Sequence, residues 1–214
     1  MLMSDTLPVL TLAETRVLGT LVEKQRTVPD TYPLSLNALA AGCNQKTSRQ
    51  PVLDLSEAEI LQALDGLKDA GLVVEVSGSR VVRFDHRLEK VLGVPSQASA
   101  LLTVLMLRGP QTAGELRLNC ERLHRFVDIS SVEAFLEELA GRGLVVELQR
   151  LPGARENRWS HLLSGQPAVE MPAAAGGRTG HQEIEELKGR VAALEAEVGE
   201  LRSLLAGLRA ELGG

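Results

Sequence analysis

The chain has 214 residues, a formal net charge of −5 at pH 7 and five aromatic side chains, which favours small helical domains with cores of Leu, Val and Ala. Neither half is basic overall, which excludes the broad positive field of many nucleic-acid-binding proteins and leaves only local basic patches. The two cysteines form no disulfide or zinc pattern, residues 1–12 lack the features of a signal peptide, and no apolar run approaches the ~18 residues of a membrane span, so we predict a cytoplasmic protein without membrane contact.

The first predicted helix begins after a capping box, in which the side chains of Thr11 and Glu14 each bond the other residue's backbone N–H. It ends near Lys24, and the prolines that follow break any continuation. Its apolar face recurs at helical spacing and consists of Leu12, Val17, Leu18, Leu21 and Val22. A short second helix is predicted from about Leu34 to Ala41.

A third helix is predicted after the polar, aperiodic loop 43–51. A second capping box, formed by Ser56 and Glu59, starts this helix, and Gly71 lies just past its end. Its apolar face is predicted to consist of Ile60, Leu61, Ala63, Leu64 and Leu67. A hairpin that pairs residues 72–76 with 80–84, and a short exit helix at 88–92, complete this first half of the chain.

The second half repeats this order of elements after Pro95. The sequence GLVVEV at residues 71–76 recurs 72 positions later as GLVVEL at residues 143–148. An apolar helix around residues 101–106 comes first, and capping boxes that begin at Thr112 and at Ser130 predict two more helices. Residues 144–148 are then predicted to pair with 158–162 as a second hairpin, whose connection is longer than the first.

Three helices followed by a β-hairpin are typical of a winged helix, in which the hairpin is called the wing. We therefore predict a mainly helical α+β fold with two tandem winged-helix domains, at residues 12–92 and 97–163, after an N-terminal tail of residues 1–11. Residues 164–182 are rich in Gly, Ala and Pro without a period, and they are predicted to be a flexible linker.

Residues 183–212 have a heptad repeat and predict a C-terminal coiled-coil helix. Charges at the flanking positions are opposite across a parallel pair, for example Glu183 with Lys188, so a parallel homodimer is predicted. A single amphipathic helix folded onto the winged helices is the alternative. The predicted dimerisation residues are Ile184, Leu187, Val191, Leu194, Val198, Leu201, Leu205 and Leu208.

A set of residues spread over about residues 12–163 carries a family resemblance. Its members are Tyr32–Ser35, Cys43–Thr47, Arg49, Pro51, Val52, Leu55–Glu57, Leu107–Gly109, Gln111, Thr112, Gly114–Arg117, Pro152, Gly153, Arg155, Glu156, Arg158, His161 and Leu162. In these positions the chain resembles the YceH family of uncharacterised bacterial proteins. The resemblance implies two winged helices, DNA binding expected from the fold alone, and no established activity.

DNA binding is the first functional hypothesis, and its predicted contacts avoid the third helices. Those helices expose mainly carboxylates, for example Glu57 and Glu133, which would repel phosphates in the usual docking mode. Candidate contacts instead lie in the loop after the second helix, around the second half's second helix, and in the second wing. These residues are Asn44, Gln45, Lys46, Arg49, Arg117, Arg122, Arg125, Arg150, Arg155 and Arg158. The alternative is structural: Asn44 and Thr47 shape the turn, while Arg49 and Arg158 pair with carboxylates.

The second hypothesis is a protein-docking or scaffolding module without nucleic-acid binding, whose partners would contact the acidic faces of the third helices. No catalytic residues, metal site or cofactor are predicted. Cys43 has no nearby histidine, and Cys120 with His124 gives only two potential metal ligands. The chain is therefore predicted not to be an enzyme.

Overall fold

A computed structural model describes residues 9–76, 81–150 and 153–167 of the chain. The chain divides into two compact units, Met1–Ala168 and Val169–Gly214, and every described residue belongs to the first. The predicted linker beyond residue 167, the coiled-coil helix and its dimerisation residues lie outside the described residues.

The first half of the chain contains helices followed by a hairpin. A turn of 3₁₀ helix, Pro29–Thr31, separates the first two helices. The elements of this half are α1 (Leu12–Thr27), β1 (Leu34–Ser35), α2 (Leu36–Cys43), α3 (Glu57–Asp69), β2 (Val73–Val76), β3 (Arg83–His86) and α4 (Leu88–Leu92). The exit helix has its predicted bounds, whereas α1 runs one turn further than predicted.

The strands of the first half form one antiparallel sheet in the order β1-β3-β2. β1 pairs with β3 so that Leu34 lies opposite Phe84, and both side chains are buried. The sequence did not predict β1, because these two residues were assigned to the second helix. The strand predicted at residues 80–84 instead occupies Arg83–His86, and Arg80 lies outside the described residues.

The second half repeats the arrangement without the small additional strand. Its elements are α5 (Ser96–Arg108), α6 (Ala113–Asn119), α7 (Ile129–Gly141), β4 (Val145–Leu148) and β5 (Arg158–His161). β4 and β5 pair as a separate two-stranded sheet, and an isolated bridge joins Gln111 to Trp159 of β5. The described fold is thus α+β, with helices and small antiparallel sheets, as predicted.

Three of the four predicted capping boxes are confirmed. The side-chain oxygens of Thr11, Ser56 and Thr112 each accept from the backbone N–H of the glutamate three residues later, and the carboxylate of that glutamate accepts from the backbone N–H of the cap residue. The fourth prediction was wrong, since α7 starts at Ile129 and its capping pair is Asp128 and Ser131. The carboxylate of Asp128 accepts from the Ser131 backbone N–H at 2.8 Å, and aspartate is among the strongest helix N-caps.

The repeated glycines end α3 and α7 in the same way. Gly71 and Gly143 have φ of 70° and 69°, in the left-handed region that favours glycine. The backbone N–H of Leu72 bonds the Leu67 carbonyl at 2.8 Å, and the N–H of Leu144 bonds the Leu139 carbonyl at 2.9 Å. These are the long bonds of a Schellman motif, so both helices turn directly into a strand with the same backbone geometry.

The two halves share one hydrophobic core, in which α1 packs against α5. Residues Ala98 to Leu107 of α5 are all buried, which explains why this helix is apolar on every side. Two predicted core residues were wrong, since Leu12 is 51% exposed and Leu61 is 43% exposed. None of the described helices combines the length and the apolar character that crossing a membrane requires.

Polar bonds also join the two halves on the side of loop 44–56. The Gln50 backbone N–H donates to the Leu107 carbonyl at 2.8 Å. Nη2 of Arg108 donates to Oγ of Ser48 at 2.8 Å. The end of α5 is therefore fixed to the first half by both apolar and polar contacts.

Candidate nucleic-acid interface

The loop that follows α2 is held by its own side chains. The Asn44 amide donates to the Leu55 carbonyl and accepts from the Leu55 backbone N–H, each at 2.8 Å. Oε1 of Gln45 accepts from Nζ of Lys24 at 3.4 Å. Asn44 thus fastens the two ends of the loop together, which agrees with the structural interpretation of this residue. Of these loop candidates, Lys46 is exposed and carries a free ammonium within the described structure.

Arg49 points into the protein and is only 4% exposed. Its guanidinium makes an ion pair with Glu23 at 2.6 Å and donates to the Gly42 carbonyl at 2.9 Å. Burial raises the pKa of Glu23, but its bonds to Arg49 and the nearby positive charges outweigh burial and hold the pKa below its usual value. Arg49 is committed to this buried pair, so its guanidinium is not available to a ligand.

A second buried arginine in the same place was missed by the sequence analysis. Arg16 of α1 is fully buried, and it donates to the Cys43 carbonyl at 3.1 Å and to the Pro51 carbonyl at 2.5 Å. Together Arg16 and Arg49 bond the carbonyls at the C-terminus of α2, where the helix dipole favours positive charge. In the sequence Arg16 directly precedes the apolar residues of α1, where a basic side chain usually faces solvent, so its burial was not expected.

Two arginines of the second half are also bound to backbone carbonyls. Nη2 of Arg117 donates to the Val127 carbonyl at 3.1 Å. Nη2 of Arg158 donates to the Pro110 carbonyl, so this residue pairs with a carbonyl rather than the carboxylate that the structural alternative expected. Both side chains are half-buried, and they position the α6–α7 turn and the start of β5.

Four arginines of the second half are different, since they are exposed and make no hydrogen bond or ion pair within the described ranges. Arg122 and Arg125 lie in the turn between α6 and α7. Arg150 and Arg155 lie in the connection between β4 and β5. These four, with Lys46, are the predicted contacts that remain available to a ligand.

The β4–β5 connection lies beside the beginnings of α6 and α7. A Cβ placed on Gly114 of α6 would be 3.9 Å from Oε2 of Glu156 and 3.9 Å from Cδ1 of Ile129. Glu156, which follows Arg155, thus lies beside the start of α6, whereas Arg122 and Arg125 follow the end of this helix.

The acidic faces of the third helices are exposed, as the sequence predicted. On α3 these residues are Glu57, Glu59, Asp65 and Asp69, and on α7 they are Glu133, Glu137 and Glu138. Lys68 neutralises only part of the charge of α3, since its single ammonium is shared between Asp65 at 2.8 Å and Glu75 at 2.7 Å. A phosphate backbone would be repelled by both faces.

The cysteines are buried thiols. Burial is the main cause that raises the pKa of Cys43 to about 11 and that of Cys120 to about 12, so both are protonated at neutral pH and poorly suited to nucleophilic or metal chemistry. Across residues 9–76, 81–150 and 153–167, no group of three or more His, Cys, Asp or Glu residues is placed to hold a metal ion.

Comparison with known proteins gives a consistent family. A family model described as "Protein of unknown function, DUF480" matches residues 10–154. The chain is 75% identical over 209 residues to a "UPF0502 protein" of Dechloromonas aromatica (strain RCB), covering 95% of this chain and 97% of the relative. It is 60% identical over 209 residues to one of Burkholderia pseudomallei (strain 668), covering 95% and 89%. A third, from Cupriavidus necator (strain H16), is 59% identical over 212 residues, covering 95% and 87%.

Proposed function

The chain belongs to the family described as "Protein of unknown function, DUF480", and we propose that it is a non-enzymatic, transcription-regulator-like DNA-binding protein. This membership agrees with the resemblance to the YceH family of uncharacterised bacterial proteins. In this proposal the protein acts in the cytoplasm and contacts DNA through its second wing and the α6–α7 turn.

Support for two winged helices comes from the order of the elements. In each half three helices precede an antiparallel hairpin, and the third helix passes into the hairpin through a left-handed glycine. Such a unit presents its third helix and its hairpin connection on the surface. The winged-helix assignment therefore supplies two surfaces per half that could enter a DNA groove.

The observation that carries the proposal is the distribution of unpaired positive charge. In the first half, Arg16 and Arg49 are committed to internal bonds, and Arg26 is paired with Glu89. The exposed cations of this half without side-chain partners in the described structure lie in loop 44–56 and around α4, and they are Lys46, Arg87 and Lys90. In the second half the four exposed arginines of the turn and the wing have no internal partner among the described residues. Guanidinium groups without partners on a hairpin connection suit contacts to phosphates or to a narrow minor groove.

The proposal places the contacts away from the acidic faces. The carboxylates of α3 and α7 would be kept clear of the phosphates, and the wing would approach the duplex first. A second copy of the chain, joined through the predicted helix at residues 183–212, would double these contacts and raise the apparent affinity. The coiled coil remains a prediction from the heptad pattern.

A salt titration of duplex binding tests the proposal. Binding of the full chain to a fluorescent duplex of random sequence should weaken as salt rises, with a log–log slope of about −0.9 per phosphate contact. Arg150→Glu with Arg155→Glu should abolish the binding or reduce the slope by about 2.

The matched control is Arg87→Glu with Lys90→Glu, which makes the same charge change at two exposed cations around α4 that also lack side-chain partners in the described structure. This pair should retain most of the binding. Equal losses in the two double variants would show that net charge alone is responsible and would refute a site on the wing.

The alternative is a docking protein that does not bind nucleic acid. The observation in its favour is the exposed row of carboxylates on α7, which makes no ion pair within the described residues. If the protein shows no salt-sensitive binding to any duplex, this result would favour the docking alternative over the first proposal.

A further inference from the structure

An apolar patch lies on the surface of the second half. Leu118 is 69% exposed, Val127 is 85% exposed and Ile129 is 43% exposed. Single exposed apolar side chains are common on protein surfaces, but a contiguous group of them marks an interaction site more often. The question is therefore whether these three side chains adjoin one another.

Two of them, Leu118 and Ile129, lie on one face of α6. Ile129 reaches the surface over Gly114, since a Cβ there would lie 3.9 Å from Ile129 Cδ1. Leu118 follows Gly114 by four residues and so occupies the same face of α6, one turn along. Val127 is held beside α6 because its carbonyl accepts from Arg117 at 3.1 Å. Leu118 and Ile129 thus lie along one face of α6 with the Val127 backbone beside it, and we call these three residues the α6 patch.

A small cleft continues the α6 patch beyond Leu118. It is lined by Arg117, Leu118, Glu121, Arg125 and Phe126. Phe126 is only 4% exposed and forms the floor, where its ring packs edge-on against Phe135 with centroids 6.0 Å apart. The floor is therefore rigid and apolar, and the rim is mainly basic.

The charges around the α6 patch are unequal at its two ends. At the cleft end Arg125 and the neighbouring Arg122 are exposed without partners in the described structure, and Glu121 is the acidic group there. Nε of Arg117 is buried without a hydrogen-bond partner in the same place. Asp128, between Val127 and Ile129, is exposed and interacts electrostatically with Arg117. At the opposite end, the carboxylate of Glu156 lies beside Gly114. A ligand would therefore be oriented with its negative charge at the cleft end.

We propose that the α6 patch docks an acidic amphipathic helix of a partner protein. Two apolar side chains one helical turn apart on the partner would match Ile129 and Leu118, whose positions along α6 are also one turn apart. Carboxylates at one end of that helix would reach the exposed Arg122 and Arg125. A phosphate backbone suits this surface less well, because it offers nothing apolar to cover Leu118 and Val127. This site is separate from the acidic helix faces. It shares the α6–α7 turn with the proposed DNA contact and differs from it by its apolar residues.

The test uses two synthetic helical peptides and the full chain. Both peptides carry Leu at i, i+3, i+4 and i+7, and the remaining positions are mainly Glu in one peptide and mainly Lys in the other. Fluorescence anisotropy should show binding of the Glu peptide only. Leu118→Glu should weaken that binding by about tenfold or more, since it removes an apolar contact and adds repulsion. Arg125→Glu should weaken it by a smaller factor and reduce its dependence on salt.

Leu61→Glu is the matched control, because Leu61 is another exposed leucine on a helix and receives the same substitution. It should bind the Glu peptide as the natural chain does. Circular dichroism of both variants should show an unchanged fold, since both sites are on the surface.

Four outcomes would overturn the proposal. Equal binding of the Glu and Lys peptides, or equal effects of Leu118→Glu and Leu61→Glu, would show that the α6 patch has no specificity for an acidic helix. A change in the assembly mass of Leu118→Glu in sedimentation would show that the patch contacts a second copy instead. Loss of duplex binding in Leu118→Glu with unchanged binding of the Glu peptide would assign the patch to DNA. Arg150→Glu with Arg155→Glu should leave peptide binding unchanged, so this proposal and the DNA proposal fail separately.

Discussion

Gly19 of α1 lies directly against Leu107 of α5, at the contact between the two halves of the chain. A Cβ on Gly19 would be 3.0 Å from both Cγ and Cδ2 of Leu107 and 3.4 Å from Cβ of Met106. These distances are closer than ordinary carbon contacts, so the absence of a side chain at this position lets the two helices approach.

Replacing Gly19 with Val should therefore destabilise the protein by about 1–3 kcal/mol, because α1 and α5 must separate or shift. Urea unfolding measures the change. The matched control is Gly141→Val in α7, where a Cβ would meet nothing within 4 Å. That variant should be nearly neutral, and a similar loss in both would show that the contact with Leu107 is unimportant.

We expect substitution of the left-handed glycines to destabilise the protein through the backbone conformation alone. A Cβ on Gly71 or Gly143 would meet no atom within 4 Å, so steric contact adds nothing at either position. Ala at either site should cost roughly 1–2 kcal/mol, and Asn, which tolerates this region better, should cost less. Thermal unfolding of the four single variants is the measurement. Equal losses for Ala and Asn would contradict a backbone origin.

The buried pair of Arg49 and Glu23 predicts a strong coupling. Arg49→Met should cost about 1–3 kcal/mol, because it leaves the Gly42 carbonyl unpaired and leaves Lys24, at 3.3 Å, as the remaining partner of the half-buried Glu23 carboxylate. The double variant with Glu23→Gln should recover part of this loss in a double-mutant cycle. If the two single losses simply add, the ion pair contributes no coupling energy.

Glu23 also makes the free energy of unfolding depend on pH in the acidic range. The pKa of Glu23 in the folded state lies below the ordinary value of 4.5. The contribution of Glu23 to stability is therefore complete above pH 4.5 and is lost as pH falls through the folded-state pKa. In Glu23→Gln the free energy of unfolding should fall less steeply below pH 4.5 than in the natural chain. Urea unfolding at a series of acidic pH values checks this, and an unchanged slope would contradict it.

His161 in β5 should make the free energy of unfolding depend on pH over a higher range than Glu23 does. Burial lowers its pKa from 6.5 to about 4, and its Nδ1 is buried without a hydrogen-bond partner. The unfolded chain binds the proton more readily, so stability is greatest above pH 6.5 and falls as pH falls toward 4. His161→Gln should flatten this slope between pH 6.5 and 4.5 in urea unfolding. Part of the slope should remain, because burial also lowers the pKa of His86.

Local signals in the sequence were enough to predict most helix ends. Thr11, Ser56 and Thr112 were identified correctly, because each cap involves only residues three apart. At α7 the sequence predicted a cap at Ser130, but the helix begins at Ile129 and its cap is Asp128. The pairing of Leu34 with Phe84 could not be predicted, because a strand of two residues has no period and depends on a distant partner.

Candidate contacts were harder to predict, because composition does not show where a charged side chain points. Arg49 and Arg155 look equally available in the sequence, yet Arg49 is buried against Glu23 and Arg155 is exposed. Arg16 was missed for a related reason, since its carbonyl partners at Cys43 and Pro51 are 27 and 35 residues away. Long-range partners decide which cations remain free, and a single sequence does not reveal them.

The contacts that fasten α5 to α1 and to loop 44–56 have a consequence for recognition. Because Gly19, Ser48 and Gln50 tie the halves together directly, the spacing between the two hairpins is set by packed helices rather than by a tether. A ligand that touches both hairpins must therefore carry two features at one fixed separation. A ligand with any other separation would engage one hairpin at a time and gain nothing from the other.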